Sequence, residues 1–162
     1  MNVLNPGNQL TLYGQKTPKV VIYKHESHKL HQAFNVKEGE TIVQGMPVAL
    51  HTDGTIKKYT AASGEIYLGI AVTDTKTPAY AGQRAYPVEV TVAVEGYMIC
   101  YWAAASAVTP GFVKPSGTLY NNRYPNCANT TGTPAAESPF IALAAADAPA
   151  DGVAELVPVL CR

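Results

Sequence analysis

Charge is scarce in this chain. Only 15% of its 162 residues are Asp, Glu, Lys or Arg, and twelve bases balance twelve acids. A nucleic-acid binder presents a clustered basic surface, so no nucleic-acid partner is expected. Cysteine is scarcer still. Cys100, Cys127 and Cys161 are odd in number and lack Cys-x-x-Cys spacing, which points away from a disulfide framework and from a thiolate metal site. No stretch approaches the roughly 18–20 apolar residues of a membrane span. Met1 to Leu12 has no basic segment leading into an apolar run, so no signal peptide and no membrane partner are expected, and synthesis in a reducing cytoplasm fits. The five serines form no Gly-x-Ser-x-Gly elbow, and no Gly-rich phosphate loop is present. Glu89 and Glu95 lie six apart on one strand face, as solvated charges do. No catalytic residue, cofactor or resident metal is expected, and the chain is not read as an enzyme.

Turn and strand formers are abundant. The chain has 13 Gly, 12 Pro and 10 Tyr, and 47% of it is apolar, a profile of many short strands. One pattern runs twice, offset by about 65 residues. The first pass reads Gly45-Met46-Pro47-Val48-Ala49-Leu50, a hairpin turn at Asp53-Gly54, then Leu68-Gly69-Ile70-Ala71-Val72 and the alternating run Val88 to Val94. The second reads Pro110-Gly111-Phe112-Val113, a turn at Ser116-Gly117, then Phe140-Ile141-Ala142-Leu143 and Val153 to Val159. The Asp-Gly pair predicts a two-residue primed turn. Val88, Val90, Val92 and Val94 predict a strand with one buried face, leaving Glu89, Thr91 and Ala93 outward. Tyr97 to Trp102 predicts a further apolar strand. Pro158 lacks a ladder donor, which predicts an edge strand or a bulge. Residues 121–139 read as an irregular surface loop, and Ala142 to Ala150 as room for one helical turn. The expected fold is mainly β, a compact barrel- or sandwich-like domain over residues 33–162, with duplication of the β-unit left open.

Residues 1–32 read as an extended N-terminal arm. Val20 to Tyr23 is a short strand candidate there, and the polar stretch from Lys24 to Gln32 has too little apolar surface to order itself. Lys16, Lys19, Lys24 and Lys29 against Glu26 make the arm basic, and the rest of the chain is correspondingly acidic. His25, His28 and His31 repeat every third residue. As a helix only two of them would share a metal, and as a strand His28 would face away, so solvated histidines are the expectation.

The Gly-x-Pro-Val-x-Leu strand, the Asp-Gly hairpin, Gly69-Ile70-Ala71-Val72, the valines closed by Gly96 and the Ala-rich segment Ile141 to Ala148 resemble the capsid decoration (cement) proteins of tailed bacteriophages. The resemblance covers roughly residues 35–160. It implies a structural virion protein that binds the outer surface of an assembled capsid and stabilises contacts between major capsid subunits, commonly as a homotrimer. The arm then supplies candidate capsid-contact residues: Lys16, Lys19, Lys24, His25, His28, Lys29 and His31, with the 121–139 loop beside them. A head-fibre or tail-associated virion module would use the same β pattern. A carbohydrate-binding module is the rival from another class, because Tyr59, Tyr67, Tyr80, Tyr86, Tyr97, Tyr101, Trp102, Tyr120 and Tyr124 are of the type that stacks on sugars.

Overall fold

The computed structural model describes residues 21–24 (main chain), 31–75, 88–96, 98–130 and 139–162, and among them there is strand and turn but no helix. Eleven strands follow one another: β1 (Val21–Lys24), β2 (His31–Asn35), β3 (Pro47–Leu50), β4 (Ile56–Lys58), β5 (Ile66–Ala71), β6 (Glu89–Ala93), β7 (Met98–Ala104), β8 (Gly111–Tyr120), β9 (Tyr124–Asn129), β10 (Phe140–Ala142) and β11 (Leu156–Cys161). They form two sheets.

The first sheet runs in the order β2-β6-β5-β3-β4. A parallel bridge from Val36 to Ile56 brings its two ends together, with the Lys37 N–H donating to the Ile56 carbonyl at 2.9 Å. The alternating valines behave as expected on the inner face, where Val90 and Val92 are buried with Val36, Ile42, Val48 and Ile56. Two details differ from expectation. The β3–β4 connection is the longer loop form, in which the Gly54 N–H donates to the His51 carbonyl, the His51 N–H donates to the Thr55 carbonyl, and Gly54 alone takes positive φ (+84°). Ala93, expected to face solvent, is 7% exposed because the second sheet covers that end of β6. Leu68 forms a bulge in β5, since Val48 pairs with Gly69 while Ala49 pairs with Tyr67.

The second sheet is β1-β7-β11-β10-β8-β9, and a parallel pairing of Ala103 with Asn126 and Ala104 with Cys127 closes β7 onto β9. The result is a closed five-stranded barrel with β1 added along Met98 to Cys100, so the strand candidate at 20–23 forms on the body of its own chain. Ser116-Gly117 is no turn. With Thr118 it is a bulge inside β8, and the chain reverses at Asn121 and Asn122, both left-handed (φ +50° and +53°), with the Arg123 N–H donating to the Tyr120 carbonyl. Asparagine tolerates that region because its side chain is short and polar. The expected 121–139 loop is thereby corrected: Tyr124–Asn129 is a strand flanked by β8 and β7. Its Pro and Asn residues hide any alternation, and tertiary pairing imposes the strand. The expected helical turn over 142–150 is absent too, because Ala146 is claimed by a bridge to Val108 and Ala150 by one to Val153. Pro158 lies in β11 between β7 and β10, which corrects the edge assignment. Its carbonyl accepts from the Leu143 N–H, one residue past the end of β10, so the missing donor faces the place where the neighbouring strand has run out.

The two sheets are the same object built twice. Shifting each strand label of the first ring by five gives the order of the second, and every ladder agrees in register. Val48 opposite Lys58 matches Val113 opposite Asn129, and Leu50 opposite Ile56 matches Pro115 opposite Cys127. Ala71 opposite Val92 matches Ala142 opposite Val159, Phe34 opposite Val90 matches Trp102 opposite Val157, and Pro47 opposite Ile70 matches Phe112 opposite Ile141. The closing bridges also coincide, Val36–Ile56 with Ala104–Cys127. The duplicated β-unit left open by the sequence is present in the fold.

The rings share one core. Ala49, Tyr59, Ile70 and Ala93 of the first pack with Met98, Cys100, Trp102, Phe140, Val157 and Val159 of the second. Phe140 is its centre, with ring centroids 4.9 Å from Trp102, 5.2 Å from Tyr67 and 6.1 Å from Tyr59. The Trp102 indole N–H donates to the Gly45 carbonyl at 2.9 Å, a buried polar link from one ring to the other.

Candidate functional site

Two of the seven expected contact residues fall within the described chain. Lys24 ends β1 opposite Met98, and His31 opens β2, half-buried and opposite Ala93. Lys16, Lys19, His25, His28 and Lys29 lie outside the described residues, as does 131–138 of the expected contact loop. Among the described residues no three His, Cys, Asp or Glu side chains are placed to hold a metal.

The body's charges serve local structure. Burial disfavours the charged form of Glu65, yet Lys57 Nζ at 2.6 Å and donors from the Thr60 N–H, the Ala62 N–H and the Thr60 hydroxyl outweigh it, and its carboxyl sits below its usual range. That carboxylate latches the loop from Thr60 to Gly64, where Ala61 takes φ +59° and Thr60 packs against the Gly117 bulge of the other ring. Lys58 lies 3.6 Å from Glu40. At the first hairpin tip Asp53 accepts from the Thr55 hydroxyl (2.6 Å) and N–H (2.9 Å), with His51 Nδ1 at 2.8 Å, and these hydrogen bonds hold its carboxyl far below the ordinary value.

The described aromatic side chains are spent mostly inside. Tyr59, Tyr67 and Trp102 surround Phe140, and burial raises the Tyr67 hydroxyl well above its usual pKa. Tyr101, Tyr124 and Tyr120 form a small separate cluster with Ala103, Ala154 and Leu156 on the second ring. Burial pushes Tyr101 up to about 12, and the Arg123 guanidinium lies over the Tyr124 ring at 5.2 Å. Among the described residues these side chains form no open stacking platform of the kind a polysaccharide needs, and Tyr80, Tyr86 and Tyr97 lie outside the described residues. The three cysteines are free and buried; burial pushes Cys127 up to about 12 and raises Cys161 well above the ordinary thiol value, helped by its neighbour Cys100. Such thiols are inert toward substrates. A crevice of about 20 Å³ at the joint, lined by Tyr67, Gly69, Ala93, Met98 and Arg162 among others, has room for about one water. Of the exposed apolar side chains, Leu50 and Ile66 are cross-strand neighbours and Val153 stands alone on the turn before β11.

No known protein family matches this chain, and no curated protein does.

Proposed function

We propose that this chain is a structural virion protein that decorates the outer surface of an assembled phage capsid and strengthens contacts between major capsid subunits, as a homo-oligomer with a trimer favoured. The observation that carries the reading is the scaffold: two in-register β-rings fused through one core, with aromatic and cysteine side chains committed to that core and charged ones to local turns. A clamp on a pressurised shell needs a rigid body, and many modest contacts multiplied by symmetry supply its hold through avidity. The basic segment ahead of an acidic body supports attachment through the arm, which would order on the lattice and so distinguish assembled shell from free subunits. Purified protein mixed with bare capsid shells and imaged tests this directly. Hundreds of copies per particle are expected, whereas a dozen would point to a fibre or tail module and none would refute the reading. Removal of residues 1–20, which spares β1, is expected to weaken binding with the body still folded; undiminished binding would discard Lys16 and Lys19 as contacts, and undiminished binding after charge removal at Lys24, His25, His28, Lys29 and His31 as well would discard the arm as the attachment.

A further inference from the structure

The internal repeat exposes a surface that neither ring reveals by itself. In the first ring His31, Ala93, Ile70 and Pro47 form a lateral row, each opposite the next across β2, β6, β5 and β3. They point away from the interior, because their chain neighbours Val92, Ala71 and Val48 fill it. Ala93 (7% exposed), Ile70 (3%) and Pro47 are nevertheless buried, the first two in the shared core under the second ring. This row is the face through which one unit packs on the next.

The register-matched row in the second ring is Ile99, Leu160, Ile141 and Phe112, again each opposite the next across β7, β11, β10 and β8. All four are large and apolar, all four are half-buried, and none packs into any of the three core clusters formed by the described residues. Their neighbours Cys100, Cys161, Phe140, Ala142 and Val113 face inward instead. Four aligned apolar side chains on one sheet face differ from the scattered single residues any surface carries. Two residues along β8 from Phe112, the buried Ala49 of the first ring is replaced by the exposed Lys114, which places a charge at the rim of the row and keeps its centre apolar.

We propose that the Ile99–Leu160–Ile141–Phe112 row is a self-association face, and that its occupant is a second copy of this chain. The argument is continuity with the packing inside the molecule: the same row, in the same register, is covered by a neighbouring unit when one is present in the chain. Each chain covers one row internally and carries one more. A formal net charge of zero sets no repulsion between copies. The proposal locates the self-association expected of a decoration protein, and it stands or falls without reference to any shell.

Sedimentation velocity on the full chain tests it. The wild type is expected at a multiple of 17.2 kDa. Ile141→Glu is expected to shift the population to the single-chain mass at the same concentration, an association weaker by at least about tenfold, with unchanged far-UV circular dichroism. Val153→Glu, exposed and outside the row, is expected to associate as the wild type does. A wild type at single-chain mass at all concentrations overturns the proposal, as does a folded Ile141→Glu that associates normally, or equal loss on Val153→Glu. Should Ile141→Glu fail to fold, Ile141→Cys decides: its thiol labelling slows as protein concentration rises if a second copy covers the row, and concentration-independent labelling refutes the proposal.

Discussion

Phe140→Ala probes the joint on which the two rings depend. Phe140 is fully buried, and its ring touches Trp102 from its own ring and Tyr59 and Tyr67 from the other. Truncating a buried Phe to Ala removes its transfer free energy and leaves a cavity, together about 3–5 kcal/mol. Aromatic edge and tilted contacts of this kind add about 0.5–1.5 kcal/mol beyond area, and three are lost at once, so the upper part of that range is expected. Against a total stability of about 5–15 kcal/mol for a domain of ordinary size, the variant is folded but marginal. The informative quantity is how the loss distributes. If one core holds both rings, they unfold together and lose stability equally. Urea unfolding followed by the fluorescence of Trp102, the sole tryptophan, reports the second ring, and amide hydrogen exchange at Val48, Ile70 and Val92 reports the first. Both probes should shift by about 4 kcal/mol. A first ring whose protection is unchanged while Trp102 is destabilised would refute the single-core argument.

Gly69→Ala tests the bulge: an added Cβ would lie 2.1 Å from the Ala93 carbonyl oxygen and 2.9 Å from its carbon. Main chain cannot yield cheaply, so a loss of about 3 kcal/mol, the upper end for overpacking, is expected in chemical denaturation, and a change under about 0.5 kcal/mol would show that β5 and β6 do not approach as described. Glu65, whose folded pKa is depressed below 4.5, contributes stability that is present above that value and lost as pH falls through the lower folded one. Thermal melts should therefore weaken below about pH 4.5, and Glu65→Gln should flatten that part of the profile; an identical acid limb in the variant would contradict the latch. Cys100, Cys127 and Cys161 should resist a disulfide reagent at pH 8 in the folded protein and all three should react in denaturant, since each is buried out of the reagent's reach. A rapidly reacting thiol in the native state would show that the shared core opens.

Several elements were legible because local chemistry specifies them. The valines of β6 alternate, β7 is an apolar run, and Gly54 supplies the one positive φ its hairpin requires. Other elements depend on what lies across the ladder. Nothing local marks Tyr124–Asn129 as a strand, since Pro125, Asn126 and Asn129 are poor strand formers and only the pairing with β8 and β7 makes it one. Pro158 in a central strand is legible only once the end of β10 is known. Of the candidate site, the sequence supplied the basic arm, and most of it lies outside the described residues. The Ile99–Leu160–Ile141–Phe112 row draws one residue from each of four strands, so no window along the chain contains it.

The repeat divides the two kinds of information. Turn spacing and apolar alternation are local, and by themselves they determined a β-rich chain whose two halves share a pattern. That the halves are copies is a matter of hydrogen-bond register, and register is a relation between strands far apart in sequence. A shift of one residue in any ladder would have turned its apolar set to the opposite face. Tertiary structure alone decided that the first row is buried in the joint and the second is left half-exposed, because exposure depends on which neighbour is present.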